Sequence, residues 1–141
     1  MSQRSKVIHD FQSVNLGQSQ LQLTDAGAAI TLTPNHSGDF IALNATGGSA
    51  VTLPSPSAGL LYRFVVTNTG AHVITAPTAC INGAIAISQY STSANLATGA
   101  AKTVIKTTAG SLIGDQITLI GTDSKYFLSG VVSVFNAVHI A

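Results

Sequence analysis

Leu60-Leu61-Tyr62-Arg63-Phe64-Val65-Val66-Thr67-Asn68 is the stretch on which the fold turns. Read with a period of two, Leu60, Tyr62, Phe64 and Val66 point one way, and Leu61, Arg63, Val65 and Thr67 the other. Both sets are largely apolar, which predicts a strand covered on two sides. Pro54-Ser55-Pro56-Ser57-Ala58-Gly59 precedes the stretch as a turn. Asn68-Thr69-Gly70 follows it and predicts a hairpin into a strand over His72 to Ala76.

The same texture extends in both directions. Upstream, Ala29 to Thr33, Asp39 to Leu43 and Ser49 to Leu53 are short runs rich in β-branched residues. Pro34 and Pro54 mark two strand exits, because proline cannot donate to a ladder. Downstream, Ile81 to Ile87, Ala101 to Thr107, Gln116 to Ile120 and Tyr126 to Phe135 continue the series. Gly121-Thr122-Asp123-Ser124 joins the last two as a tight hairpin loop. Gln89 to Gly99 is small and polar and reads as a long loop. The chain contains no Glu, and no window carries helical periodicity between a cap and a stop. The expected fold is all-β: an antiparallel β-sandwich or a jelly-roll or barrel of about nine or ten short strands. Ala29-Ile30-Thr31-Leu32-Thr33-Pro34 and Ala50-Val51-Thr52-Leu53-Pro54 look alike, but the spacing does not continue, so no solenoid is expected.

Ser2 to Gln22 is rich in Gln and Ser and weakly periodic. Residues 1–24 are expected to be an extended N-terminal arm that orders on a neighbour, and residues 25–141 a single all-β domain.

Composition narrows the function. Only 8% of the 141 residues are charged, against about a quarter in ordinary domains. Ser, Thr, Asn and Gln must supply the polar surface, and surplus apolar area is expected to be buried between subunits. Six Lys and Arg face five Asp without a basic run beyond Arg4 and Lys6, so nucleic acid is not an expected partner. No apolar run approaches the roughly 18 to 20 residues that span a bilayer, and the N-terminus shows no secretory signal. Cys80, the single cysteine, reads as a small buried hydrophobe, which suits synthesis in a reducing cytoplasm. The sequons at Asn35 and Asn44 matter only in a secretory pathway and read as accidents of a Ser/Thr-rich chain.

A search for chemistry returns no assigned site: no catalytic, cofactor-binding or metal-ligating residue is expected. Asp25, Asp39, Asp115 and Asp123 are accounted for by turns. Ser, His and Asp are all present, without a Gly-x-Ser-x-Gly elbow. His36 lies near Asp39, while His9, His72 and His139 are isolated, and none has ligand spacing. Three copies of one histidine about a threefold axis are the exception that one chain's sequence cannot show. Gly47-Gly48 precedes a strand and reads as a turn, not a phosphate loop. Tyr62, Phe64, Tyr126 and Phe127 are assigned to the core, and Tyr90 to the surface.

One pattern remains. Ala50-Val51-Thr52-Leu53-Pro54, then Ala58-Gly59-Leu60-Leu61-Tyr62-Arg63-Phe64, then Gly70-Ala71-His72-Val73-Ile74-Thr75-Ala76 resembles a segment of tailed-phage virion structural proteins. Ile81-Asn82-Gly83 and the closing stretch from Asp115 to Gly130 resemble the same group, with Tyr126-Phe127 where that group often has Trp-Tyr. The resemblance covers roughly residues 49 to 130. It implies a non-enzymatic protein of the virion. Short length, without shaft repeats or heptads, favours a head decoration (cement) protein that binds the major capsid protein on the outer capsid surface as a homotrimer. The alternative within the group is a tail-fibre or receptor-binding head domain that recognises a host surface glycan, with Gln89 to Gly99 as its recognition loop. An enzyme with a site shared between subunits is the third class, and no spacing supports it.

Overall fold

The computed structural model describes residues 22–87, 96–108, 111–133 and 138–141. Among these the chain forms twelve strands: β1 Leu23–Asp25, β2 Ala29–Thr31, β3 Phe40–Leu43, β4 Ala50–Thr52, β5 Leu61–Val66, β6 Val73–Thr75, β7 Ile81–Ile87, β8 Leu96–Lys102, β9 Val104–Thr107, β10 Gln116–Gly121, β11 Tyr126–Val132 and β12 Val138–Ile140. The only helical element among the described residues is a 3-10 turn, Pro34–His36.

The all-β class holds, but the antiparallel expectation does not. The strands form a seven-stranded sheet, β1-β3-β5-β10-β11-β7-β8, and a five-stranded sheet, β12-β9-β6-β4-β2. Pairs β1–β3, β3–β5, β2–β4, β4–β6 and β7–β11 are parallel. The cause is the path of the chain. From β1 to β6 each strand lies in the sheet opposite to its predecessor, so strands two apart meet side by side running the same way. Asn68-Thr69-Gly70 is therefore a crossing between layers rather than a hairpin. These parallel pairs depart from the jelly roll, which is built from antiparallel Greek keys. Among the described residues each sheet has two edges, so no closed barrel forms.

The crossings build three stacked coils, β1–β2, β3–β4 and β5–β6, and the expectation of no repeat is overturned. Ala29 pairs with Ala50 and Ala50 with Val73, the second step slightly longer than the first. Ala29-Ile30-Thr31, Ala50-Val51-Thr52 and Val73-Ile74-Thr75 are thus equivalent rungs, and Pro34, Pro54 and Pro77 follow them. Each rung continues its ladder by one bond, from Leu32 N–H to Thr52 O, Leu53 N–H to Thr75 O and Ala76 N–H to Thr103 O, each 2.8 Å. Leu32, Leu53 and Ala76 are the buried residues at that place. The turns on the other side stack as well. Asn44 Oδ1 accepts from Gly27 N–H at 2.9 Å, and Asn68 Nδ2 donates to Asn44 O at 3.2 Å.

β5 is where the parallel stack meets the antiparallel half, lying between β3 and β10. Its Tyr62, Phe64 and Val66 are buried, while Leu61, Arg63 and Val65 are half-buried. Only one face is fully covered, contrary to the two-sided expectation. Buried rows of both sheets meet in one core that includes Ile41, Phe64, Ile117, Val51, Ile74 and Ile105. The hairpin from β10 to β11 forms as expected, with Gly121 opposite Tyr126.

Several boundaries moved. β8 begins at Leu96, inside the segment read as a loop, and the rest of that segment up to residue 95, with Tyr90, lies outside the described residues. β1 begins at Leu23, within the segment assigned to the arm, and the preceding residues up to 21 are also outside. Gly83 sits in β7 at φ +139°, and a Cβ there would run into the Leu128 backbone of β11, so only glycine lets the two strands pair.

Candidate functional site

The five buried polar side chains among the described residues are Ser49, His72, Thr107, Ser111 and Asp115. They include the residue types of a hydrolytic triad, and their bonds serve another purpose. Ser49 donates its backbone N–H to His72 Nδ1 at 2.9 Å, and His72 Nε2 lies 2.9 Å from Asn68 O. A ring nitrogen that accepts at Nδ1 must carry its hydrogen at Nε2, so the tautomer is fixed and both nitrogens are taken by backbone. Thr107 Oγ1 accepts from His72 N–H at 2.9 Å and donates to Gly70 O at 3.1 Å; Ser111 Oγ donates to the same carbonyl at 3.4 Å. The network ties the second and third coils to β9.

Asp115 is equally committed. Oδ1 accepts from Ser133 N–H at 2.8 Å and from Ser133 Oγ at 2.7 Å, and Oδ2 accepts from Leu112 N–H at 3.0 Å. This is the turn role expected of it, extended to the end of β11. Asp39 accepts from Thr24 Oγ1 at 3.0 Å. His36 Nδ1 accepts from Thr33 N–H at 3.0 Å, so it turns to its own 3-10 segment rather than to Asp39. Among the described residues no three His, Cys or acidic side chains gather as a metal site. His139 is exposed at the middle of β12, an edge strand; His9 lies outside the described residues. Cys80 is buried.

The distinctive feature is a surface. Outward positions of the larger sheet fall in cross-strand rows set by register. One row is Leu61–Ile120–Phe127–Asn82 and the next Phe40–Arg63–Thr118–Ser129. A third is Ala42–Val65–Gln116–Val131–Ala86. Ile120, Phe127 and Val131 are 49%, 50% and 53% exposed. Phe127 therefore belongs to this face and not to the core; its neighbours Tyr126 and Leu128 take the inward positions. Leu112 and Ile113, also exposed, lie in the loop leading into Gln116. Arg63 and, beside Ala42 at the β1 edge, Asp25 are the charged side chains of these rows; the Arg63 Cζ lies 5.3 Å from the centre of the Phe40 ring, a cation–π contact. A depression of about 360 Å3 opens beside Val131, lined also by Gln116, Thr118 and Ser133.

The smaller sheet presents a different chemistry. Its outward rows are Thr31–Thr52–Thr75–Val104 and Ala29–Ala50–Val73–Lys106–His139. Small side chains and hydroxyls make that face readily hydrated, whereas the larger sheet exposes large apolar side chains, Ile120 with Phe127 in one row and Val131 two rows along, on either side of the row of Arg63, Thr118 and Ser129; exposed apolar groups of this size mark contact surfaces.

Comparison with known protein families, with curated proteins and with solved structures returned no match to this chain.

Proposed function

We propose that this chain is a non-enzymatic virion structural protein, a decoration (cement) protein that adds as a trimer to the outer surface of a capsid. The observation that carries the reading is the outward face of the larger sheet, poor in charge, with Ile120, Phe127 and Val131 half-exposed. The phage-like motifs between residues 49 and 130 supply the identity of the partner, the major capsid protein.

The energetics favour several subunits acting together. Fully burying a large apolar side chain contributes about 1.5–3 kcal/mol, so three half-exposed ones contribute a few kcal/mol per subunit. Association of two bodies costs roughly 4–15 kcal/mol in lost freedom. One face is marginal; three linked faces bind with the avidity of a multivalent ligand. Material that binds only the assembled shell then stabilises it by mass action.

The second reading, a tail-fibre or receptor-binding head domain for a host glycan, is favoured by the depression beside Val131, whose Gln116, Thr118 and Ser133 offer amide and hydroxyl groups. The deciding experiment is copy number in purified particles relative to the major capsid protein. Hundreds of copies, in simple proportion to capsid subunits, are expected. A handful in multiples of three or six would transfer the protein to the tail, and absence from particles would end both readings.

A further inference from the structure

The three-coil stack is unfinished at its first coil. β1 is an edge of the larger sheet and β2 an edge of the smaller one, so both layers end together. Backbone direction at these edges follows from the bonds to the second coil. Phe40 N–H reaches Gln22 O and Ala26 N–H reaches Ala42 O; Ala50 N–H reaches Ala28 O and Leu32 N–H reaches Thr52 O. Groups alternate along a strand, so the N–H and C=O of Leu23, Asp25, Ala29 and Thr31 point away from the stack. Among the described residues no strand receives them.

The core is open at the same end. In the smaller sheet the inward row runs Ile30, Val51, Ile74; the last two are buried, while Ile30 is only half-buried. In the larger sheet the row runs Thr24, Ile41, Phe64, and Thr24 alone is half-buried. Thr24 and Ile30 are thus less covered than their counterparts in the second and third coils, although Ala26 and Leu32 beside them are buried. Two unpaired edges and an uncovered core end are what a further coil would close, and left bare they invite pairing with other chains.

The chain itself supplies the occupant. The step from Ile30 to Val51, counted back from Ile30, falls on His9, and the longer step from Val51 to Ile74 falls on Val7. Of these two positions Val7 is apolar, and Ile8 lies between them. The chain before β1 runs from Met1 to Gln22 and enters the fold at Leu23, beside the open end. A segment tethered so closely meets its site at an effective concentration on the order of millimolar, well above that of a free second copy.

We infer that the open end of the stack is a docking site for residues 1–21 of the same chain, with Val7 placed over Ile30 and the segment paired to the outward edge of β2. The segment then works as an edge cap, which keeps charge-poor subunits from joining through their sheets. This inference stands on the stack and does not depend on the capsid reading.

Amide exchange in the 15N-labelled full chain tests it. Protection of the Ala29 and Thr31 amides is expected, at least about tenfold over the rate of an open edge, and it is lost in Val7→Asp/Ile8→Asp while Val51 and Ile74 stay protected. Fast exchange of Ala29 and Thr31 in the unaltered chain would overturn the inference, as would protection indifferent to the two substitutions. A mixture separates the donor. Thr31→Pro removes one outward N–H without touching the bonds to β4, so it blocks the edge and keeps the segment. Adding unlabelled Thr31→Pro chain to labelled Val7→Asp/Ile8→Asp chain is expected to restore nothing. Restored protection would assign the site to a second copy and overturn the assignment to the same chain.

Discussion

Tyr62 and Tyr126 stand side by side in the core, ring centres 6.3 Å apart, and each donates its hydroxyl across to the other layer. Tyr62 reaches Thr33 O and Tyr126 reaches Pro54 O, both at 3.0 Å, at the exits of β2 and β4. Burial pushes both phenols above their ordinary range; for Tyr126 the neighbouring Tyr62 and Cys80 add to the effect. The sign follows from which form the fold holds. The native state keeps its phenolic protons at a pH where the unfolded chain gives them up, so stability is full below about pH 10 and falls as pH rises beyond it. The thermal midpoint is expected to decline from pH 10 to 11 more steeply in the unaltered protein than in Tyr126→Phe; equal slopes would remove this residue from the account. The core role of Tyr62, Phe64 and Tyr126 was legible in strand alternation. That of Phe127 was not, because two adjacent aromatics in one strand cannot both face inward and their order alone does not say which does. His72 was illegible for another reason: its partners are backbone groups brought close only by stacking. Ala101 held at φ +52°, in the irregular β7–β8 pairing, likewise carries no mark in an alanine.

At the scale of elements, the chain's crossings decide what pattern can reveal. Strand existence was mostly legible, since β-branched runs and prolines announce it. Pairing was not, because a hairpin and a crossing between layers can share the same turn residues. The repeat hid behind its own irregularity: the step from β4 to β6 is longer than that from β2 to β4, and the third rung carries Val73 and Ala76 where the first two carry Ala and Leu. β8 was missed because Leu96-Ala97-Thr98-Gly99-Ala100 is built of small residues with little strand preference. Asparagine stacking gives the coils a checkable bond. Asn44→Ala removes the acceptor for Gly27 N–H and is expected to cost about 1–2 kcal/mol in urea unfolding, whereas Asn44→Asp keeps the acceptor and most of the stability. Equal losses in the two variants would show that the bond to Gly27 does not hold the first coil.

For the whole molecule, the sequence announced the scarcity of charge but not where it would matter. Alternation says that a strand has two faces; only the register shows that Leu61, Ile120 and Phe127 fall in one row. Ile120→Lys/Phe127→Lys substitutes residues already half in water, so stability should change by no more than about 0.5 kcal/mol. Attachment to particles, measured by co-sedimentation, is expected to fall at least about tenfold, since buried lysines leave unpaired charge at a contact. Unchanged attachment would take this face out of the proposed mechanism.

The two broad faces of the molecule are unlike, an apolar one over the larger sheet and a ladder of threonines and alanines over the smaller. On the reading proposed above, such a subunit would adhere with one side and present wettable hydroxyls with the other. The outer side of a first layer would then offer the next arrival nothing to grip, and the coat is expected to stop at a thickness of one molecule.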